Sequence, residues 1–109
     1  MGASQPAGKR RQMLMQFVKK NPNDAFGRYG LAMECVNEKD FPAAEVHFTE
    51  LVATHPEYVA AYYQFGRMLA AQNRFAEARK ILTEGVARAG QANDAHARDE
   101  MQAALDELS

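Results

Sequence analysis

The sequence predicts an all-α protein made of antiparallel helix pairs, and three observations support this fold class. Apolar residues recur at helical spacing, as in Ala44, Phe48, Leu51 and Val52. No segment alternates apolar and polar residues as a half-buried strand would. Segments 37–45 and 71–79 align at an offset of 34 residues, which indicates an internal repeat.

Length and composition limit the chain to one domain and exclude several classes of partner. The 109 residues carry 13 Lys plus Arg and 14 Asp plus Glu, and this balance offers no general attraction to nucleic-acid phosphates. No apolar run is long enough to span a membrane. The single cysteine, Cys35, forms no intramolecular disulfide, so a reducing cytoplasm is the expected location. We expect neither a nucleic-acid nor a membrane partner.

The apolar spacing and the turn signals predict about six helices. Their expected ranges are 9–20, 24–37, 41–54, 58–71, 75–89 and 94–108. Asp40 and Asn73 lie near helix starts, where short polar side chains cap free amides. Pro22 and Pro56 lie between units, where the residue before a proline favours extended backbone.

These helices divide the chain into repeat units. Residues 1–8 are expected to be a flexible N-terminal tail, and residues 9–109 a single helical-repeat domain. The predicted parts of this domain are a half unit at 9–22, a first unit at 25–58, a second unit at 59–92 and a capping helix at 93–109.

The first helix is predicted from the apolar stripe Met13, Leu14, Phe17 and Val18. Basic residues bracket this stripe, which makes an amphipathic helix on a membrane surface the alternative interpretation. Packing on the next helix is favoured, because the apolar stripe can form the contact surface. The lysines at the end of the helix are accounted for by their favourable interaction with its dipole.

The middle four helices are supported by the repeat. The offset superposes apolar or small residues on one another, namely Leu31 on Phe65, Ala44 on Ala78, and Phe48 on Leu82. Applied backwards, it superposes Leu14 on Phe48 and Val18 on Val52. The first helix therefore corresponds to the second half of a unit.

The last helix departs from this register. The same offset would place the polar residues His96, Asp99 and Glu100 in core positions. The helix has its own narrow apolar stripe, formed by Ala97, Met101, Ala104, Leu105 and Leu108. One apolar face and a charged remainder predict a terminal helix that caps the array.

Few residues of the chain are candidates for catalysis. Cys35, His47, His55 and His96 could pair a thiol with an imidazole, but Cys35 shares the apolar stripe of Leu31 and is expected to be buried. No pair has the spacing of metal ligands, and no phosphate-binding loop is present in the sequence. We predict no catalytic residue, no metal site, no cofactor and no enzyme activity.

The repeat resembles the tetratricopeptide repeat. Tyr62 matches the leading aromatic residue of that pattern, Phe65 and Gly66 match its Leu-Gly pair, and Ala78 matches its small residue. In the first unit Arg28 replaces the leading aromatic residue. The resemblance implies a right-handed superhelical array in which the first helix of each unit lines a concave groove.

The resemblance also implies which residues face this groove. They are Phe26, Tyr29, Met33, Val36, Asn37, Tyr63, Arg67 and Ala70, with Ala60 and Ala71 at further groove positions. For Phe26 and Tyr29 a core position is the alternative, because one of them could fill the space left at Arg28. Tyr, Met and Arg are residue types favoured as interface anchors.

These groove residues predict a non-catalytic scaffold that binds a peptide or helix of another protein. The alternative is a structural assembly or homo-oligomerisation module, because two units are fewer than the three repeats usually needed for stability. Chaperone-binding members of the family hold a C-terminal carboxylate with several Lys, Arg and Asn side chains. Arg67 and Asn37 are the clear candidates here, and we predict no such clamp.

Overall fold

The computed structural model describes residues 8–108. These residues form six helices and no strand. The helices are α1 (Lys9–Lys20), α2 (Ala25–Asn37), α3 (Phe41–Thr54), α4 (Val59–Ala71), α5 (Phe75–Gln91) and α6 (Ala95–Glu107). The predicted all-α fold of six helices is confirmed. Most of the predicted N-terminal tail, at 1–7, lies outside the described residues, whereas Gly8 precedes α1 and its N–H donates to Glu38 Oε2 at 3.0 Å.

Three helices begin at an aspartate that accepts a hydrogen bond from the first turn. The pairs are Asp24 with the Gly27 N–H, Asp40 with the Ala43 N–H, and Asp94 with the Ala97 N–H. The capping role predicted for Asp40 is confirmed, and the one predicted for Asn73 is wrong. Arg74 occupies the N-cap of α5, and Asn73 has a φ of 62°, a left-handed conformation that asparagine tolerates well.

One turn geometry recurs at three connections. Lys39, Asn73 and Asn93 all have φ near +60°. After each of them, a backbone N–H donates to the carbonyl five residues earlier, in the pairs Asp40 to Cys35, Arg74 to Leu69, and Asp94 to Ala89. The connection before α6 is thus of the type found inside a unit. This turn, together with an α5 of 17 residues where α3 has 14, explains the register change of the last helix.

The core joins the two units through aromatic side chains. Phe48 of α3 stacks on Phe65 of α4, with ring centroids 5.4 Å apart. Tyr62 is fully buried, and its hydroxyl donates to the Pro56 carbonyl at 2.8 Å. A buried Tyr62 hydroxyl is therefore satisfied without leaving the core.

Small residues lie where helices cross, as the repeat pattern predicts. Ala32, Ala44 and Ala78 are fully buried. A Cβ built at Gly85 would lie 2.6 Å from the Cβ of Tyr62 and would also meet Met101. Since real Cβ atoms do not approach so closely, the absence of a side chain at Gly85 lets α5 pack against α4 and α6 together.

Helix α6 packs on α5 and α4 and presents its charges to solvent. Met101 is fully buried, and Ala97, Ala104, Leu105 and Leu108 pack around it as partly buried residues. His96, Asp99 and Glu100, which the repeat offset would have buried, are exposed. The apolar stripe predicted for the last helix is confirmed.

Two glycines of α5 provide a matched test of this close packing. We expect Gly85→Ala to lower the free energy of unfolding by about 1 to 3 kcal/mol, because the added methyl group meets Tyr62 and Met101. Gly90→Ala should raise it by about 0.5 to 1 kcal/mol, because a Cβ there meets nothing within 4 Å and alanine favours the helix. Urea unfolding followed by circular dichroism measures both; equal effects of the two substitutions would contradict the packing argument.

Candidate functional site

The candidate site lies along the first helices of the units, where α4 contacts both α2 and α6. Tyr63 and Arg67 lie one turn apart on α4, and the Arg67 guanidinium carbon is 5.5 Å from the centroid of the Tyr63 ring. This distance is within the range of a cation–π contact. Arg67 is exposed and Tyr63 is half-buried, so both side chains are available to a ligand.

An open pocket of about 200 Å³ lies between α4 and α6, next to Arg67. Its lining residues are Gly66, Arg67, Ala70, Leu82, Ala104, Glu107 and Leu108. Leu82, Ala104 and Leu108 supply apolar surface, whereas Arg67 and Glu107 bring opposite charges to the same pocket. This arrangement suits an apolar side chain that is flanked by a polar or charged group.

The lining residues of the pocket include two of the predicted groove residues, two residues of α6 and the C-cap residue of that helix. Arg67 and Ala70 were expected from the sequence. The sequence does not predict Ala104, Glu107 and Leu108 at this site, because the apolar stripe of the last helix indicates only a cap. The apolar stripe of α6 contained a signal for Ala104 and Leu108, but their position against α4 depends on the turn before α6.

The structure distinguishes Phe26 from Tyr29. Phe26 is 75% exposed, so it does not occupy the core. Tyr29 is half-buried, and its ring centroid is 5.4 Å from that of Tyr58. Burial raises the pKa of Tyr29. Tyr29 therefore connects α2 to α4 while keeping part of its ring accessible.

The remaining predicted groove residues of α2 lie in the C-terminal half of that helix. Met33 and Val36 are partly buried and pack against the core. Asn37 is exposed and is the last residue of α2. Ala60 and Ala71, near the two ends of α4, are also exposed.

Each of the groups considered for catalysis has a local environment of its own. Cys35 is fully buried, and burial raises the pKa of its thiol, so the reactive thiolate is disfavoured. The His55 Nδ1 lies 3.0 Å from the Thr54 hydroxyl, and His96 lies within 3.8 Å of Glu100. Between residues 8 and 108, no three His, Cys, Asp or Glu side chains cluster in a way that could hold a metal ion. None of the helices in this range has the length and apolar character needed to cross a bilayer.

Arg28, which replaces the leading aromatic residue of the first unit, points to His47. The Arg28 guanidinium donates to His47 Nδ1 at 3.4 Å. Burial lowers the pKa of His47, and the positive charges of Arg28 and Arg11 lower it further. His47 is therefore held neutral as the acceptor of this bond.

This environment makes stability depend on pH below the ordinary histidine range. The unfolded chain takes up a proton at His47 near pH 6.5, whereas the folded chain does so at a lower pH. We therefore expect the contribution of His47 to the free energy of unfolding to fall as the pH drops below 6.5, and to level off below the folded-state pKa of this residue. Urea unfolding at a series of pH values measures this slope. The slope should be smaller in His47→Gln and unchanged in the exposed control His96→Gln. Equal slopes in the wild type and in His47→Gln would contradict the prediction.

Comparisons with known proteins agree with this architecture. The tetratricopeptide repeat family model matches residues 36–106. A tetratricopeptide repeat domain protein from Salinibacter ruber, solved by NMR, is 31% identical with a TM-score of 0.77, and the match covers 81% of this chain and 89% of that one. No curated protein matches the chain.

Two further solved structures share the fold. The TPR2B domain of yeast Sti1, in a complex with pHsp70, is 19% identical with a TM-score of 0.83, covering 90% of this chain and 78% of that one. A protein from Bordetella parapertussis is 24% identical with a TM-score of 0.79, covering 93% of this chain and 88% of that one. With six helices, a 34-residue repeat, the matching family model and the S. ruber relative, the chain belongs to the tetratricopeptide repeat family.

Proposed function

We propose that this chain is a non-catalytic module that binds a peptide or helix of a partner protein along α2, α4 and α6. Tetratricopeptide repeat domains generally mediate interactions between proteins. The observation that carries the proposal for this chain is the accessible Tyr63 and Arg67 pair beside the pocket between α4 and α6.

The pocket suggests what part of the partner it receives. Its apolar wall is large enough for a single side chain, and Arg67 at its edge can bind a carboxylate or a backbone carbonyl next to that side chain. Tyr63 adds a rigid ring that costs little conformational entropy when a ligand packs on it. We therefore propose a segment with an apolar anchor and a neighbouring acidic residue.

The groove surface on α2 extends this site. Met33 offers a flexible apolar side chain, and Phe26 offers an exposed ring on the same helix. The Sti1 domain of the same fold is in a complex with pHsp70, and this supports a protein partner for the present chain. At 19% identity the likeness carries the fold alone, so it does not name the partner.

Peptide display against the folded chain, followed by affinity measurements on variants, tests this proposal. For a selected peptide, we expect Tyr63→Ala or Arg67→Ala to weaken binding by about 1 to 2 kcal/mol, or roughly 5- to 30-fold, if each residue anchors the ligand. Val46→Ala is the matched control, because Val46 is 65% exposed on α3 and outside the proposed site. Unchanged affinity in both groove variants, with helix content intact, would remove the groove assignment.

The chemistry of the site also predicts whether the C-terminal carboxylate of a bound peptide contributes to its affinity. A carboxylate clamp needs several cationic or amide side chains together, and the residues that line the pocket include no Lys, Arg or Asn besides Arg67. We expect amidation of the C-terminus of a selected peptide to change its affinity by less than about threefold. A large loss on amidation, measured by calorimetry, would instead indicate a clamp.

A further inference from the structure

The exposed face of α1 is equivalent to a face that is covered in both complete units. The 34-residue repeat relates Met13 to His47 and Ile81, and relates Phe17 to Leu51 and Gly85. Met13 is 70% exposed and Phe17 is 42% exposed, whereas Leu51 is fully buried. The difference lies in what packs on the second helix of each unit.

In the complete units, the first helix covers these positions. Arg28 of α2 reaches His47 of α3, and Tyr62 of α4 lies against Gly85 of α5. Arg28 and Tyr62 are themselves equivalent in the repeat. No helix precedes α1 within residues 8–108, so this face has no such cover there.

The other side of α1 is already packed on α2, which holds the open face in a defined orientation. The Phe17 ring lies over Gly27, where a built Cβ would be 2.5 Å from Phe17 Cε2. Leu14 approaches Gly30, and Val18 is buried. Phe17 and Met13 thus form the exposed edge of a packed helix rather than a disordered apolar segment.

The charges around this face indicate the chemistry of what binds there. Lys9, Met13, Phe17 and Lys20 fall on one side of the helix, because their spacings of four, four and three residues follow the helical period. All five charged residues of α1 are basic. Neither Lys9 nor Lys20 forms an ion pair with any residue that the structure describes, whereas Arg11 is paired with Glu38 and Asp40.

We propose that this face of α1 binds an amphipathic helix of a partner protein, with an apolar stripe and acidic residues at both ends. The partner helix would take the position that α2 and α4 occupy in their own units, packing on Met13 and Phe17. Its carboxylates would pair with Lys9 and Lys20. This surface is separate from the groove described above and does not depend on it.

A second copy of the chain fits this face less well. Two α1 helices packed antiparallel would bring Lys9 of one copy next to Lys20 of the other, and like charges repel. Helix α6 is acidic, but aligning it with α4 at their N-caps places Arg98 and Gln102 where α4 has Tyr62 and Gly66. These polar residues provide no apolar cover for Met13 and Phe17.

Two synthetic peptides of about three turns test the proposal, each held helical by a side-chain cross-link because isolated helices of this length are marginal in water. Both carry the same leucine stripe; one has glutamates in its first and last turns, and the other has lysines there. Fluorescence anisotropy should show the glutamate peptide binding at least about tenfold more tightly than the lysine peptide.

Met13→Glu should weaken the binding of the glutamate peptide at least about tenfold. Met15→Glu is the matched control, because Met15 is 47% exposed on a different side of the same helix, and should change the affinity less than about twofold.

Several outcomes would overturn the proposal. Equal affinity for the two peptides, or equal effects of Met13→Glu and Met15→Glu, would remove the recognition of an acidic helix at this face. Met13-dependent sedimentation with phosphatidylserine vesicles but no peptide binding would assign the face to a membrane. A Met13-dependent dimer in light scattering would assign it to a second copy. The effect of Met13→Glu should persist in the Arg67→Ala background, where the groove site is weakened, so failure here is distinguishable from failure of the proposed groove.

Discussion

The meeting of α4, α5 and α6 at Gly85 is the constraint on which the candidate site depends. Without a side chain at Gly85, the Cβ of Tyr62 and the side chain of Met101 approach the α5 backbone together. In the same way, the absence of a side chain at Gly66 lets the Leu82 side chain approach the α4 backbone. Because these contacts hold α6 against α4, residues of the last helix reach the space beside Arg67 and complete the pocket.

The two ends of the array have opposite surface chemistry. At the C-terminal end, α6 buries Met101 and presents charged residues to solvent, so the array ends on a polar surface. At the other end, α1 presents Met13 and Phe17 between lysines. The physical reason is the type of helix at each end. A second helix of a unit is normally covered by first helices on two sides, and within residues 8–108 helix α1 has a first helix, α2, on one side.

Ion pairs orient the helices, whereas apolar contacts form the core. No charged side chain is fully buried within residues 8–108, and the hydroxyl of the fully buried Tyr62 donates to a backbone carbonyl. Arg74 binds both carboxylate oxygens of Glu45, at 2.6 and 2.9 Å, and thereby links α5 to α3. Arg11 links α1 to the turn between α2 and α3, and its guanidinium lowers the pKa of the Asp40 carboxyl. These bidentate or paired contacts add geometric specificity at the surface, where the charges remain partly hydrated.

The sequence by itself determined the six helices, because the helical period is a local property of the chain, and the 34-residue offset relates their residues directly in the sequence. The resemblance to the tetratricopeptide repeat predicted that Arg67 and Ala70 face a groove, and in the structure both residues line the pocket. The sequence did not determine the opposite wall of that pocket, since the positions of Glu107 and Leu108 follow from a turn geometry that only the backbone at Asn93 displays. Nor did it distinguish exposed Phe26 from half-buried Tyr29. Two aromatic residues on one helix look alike in sequence, and only tertiary packing brought Tyr58 against one of them.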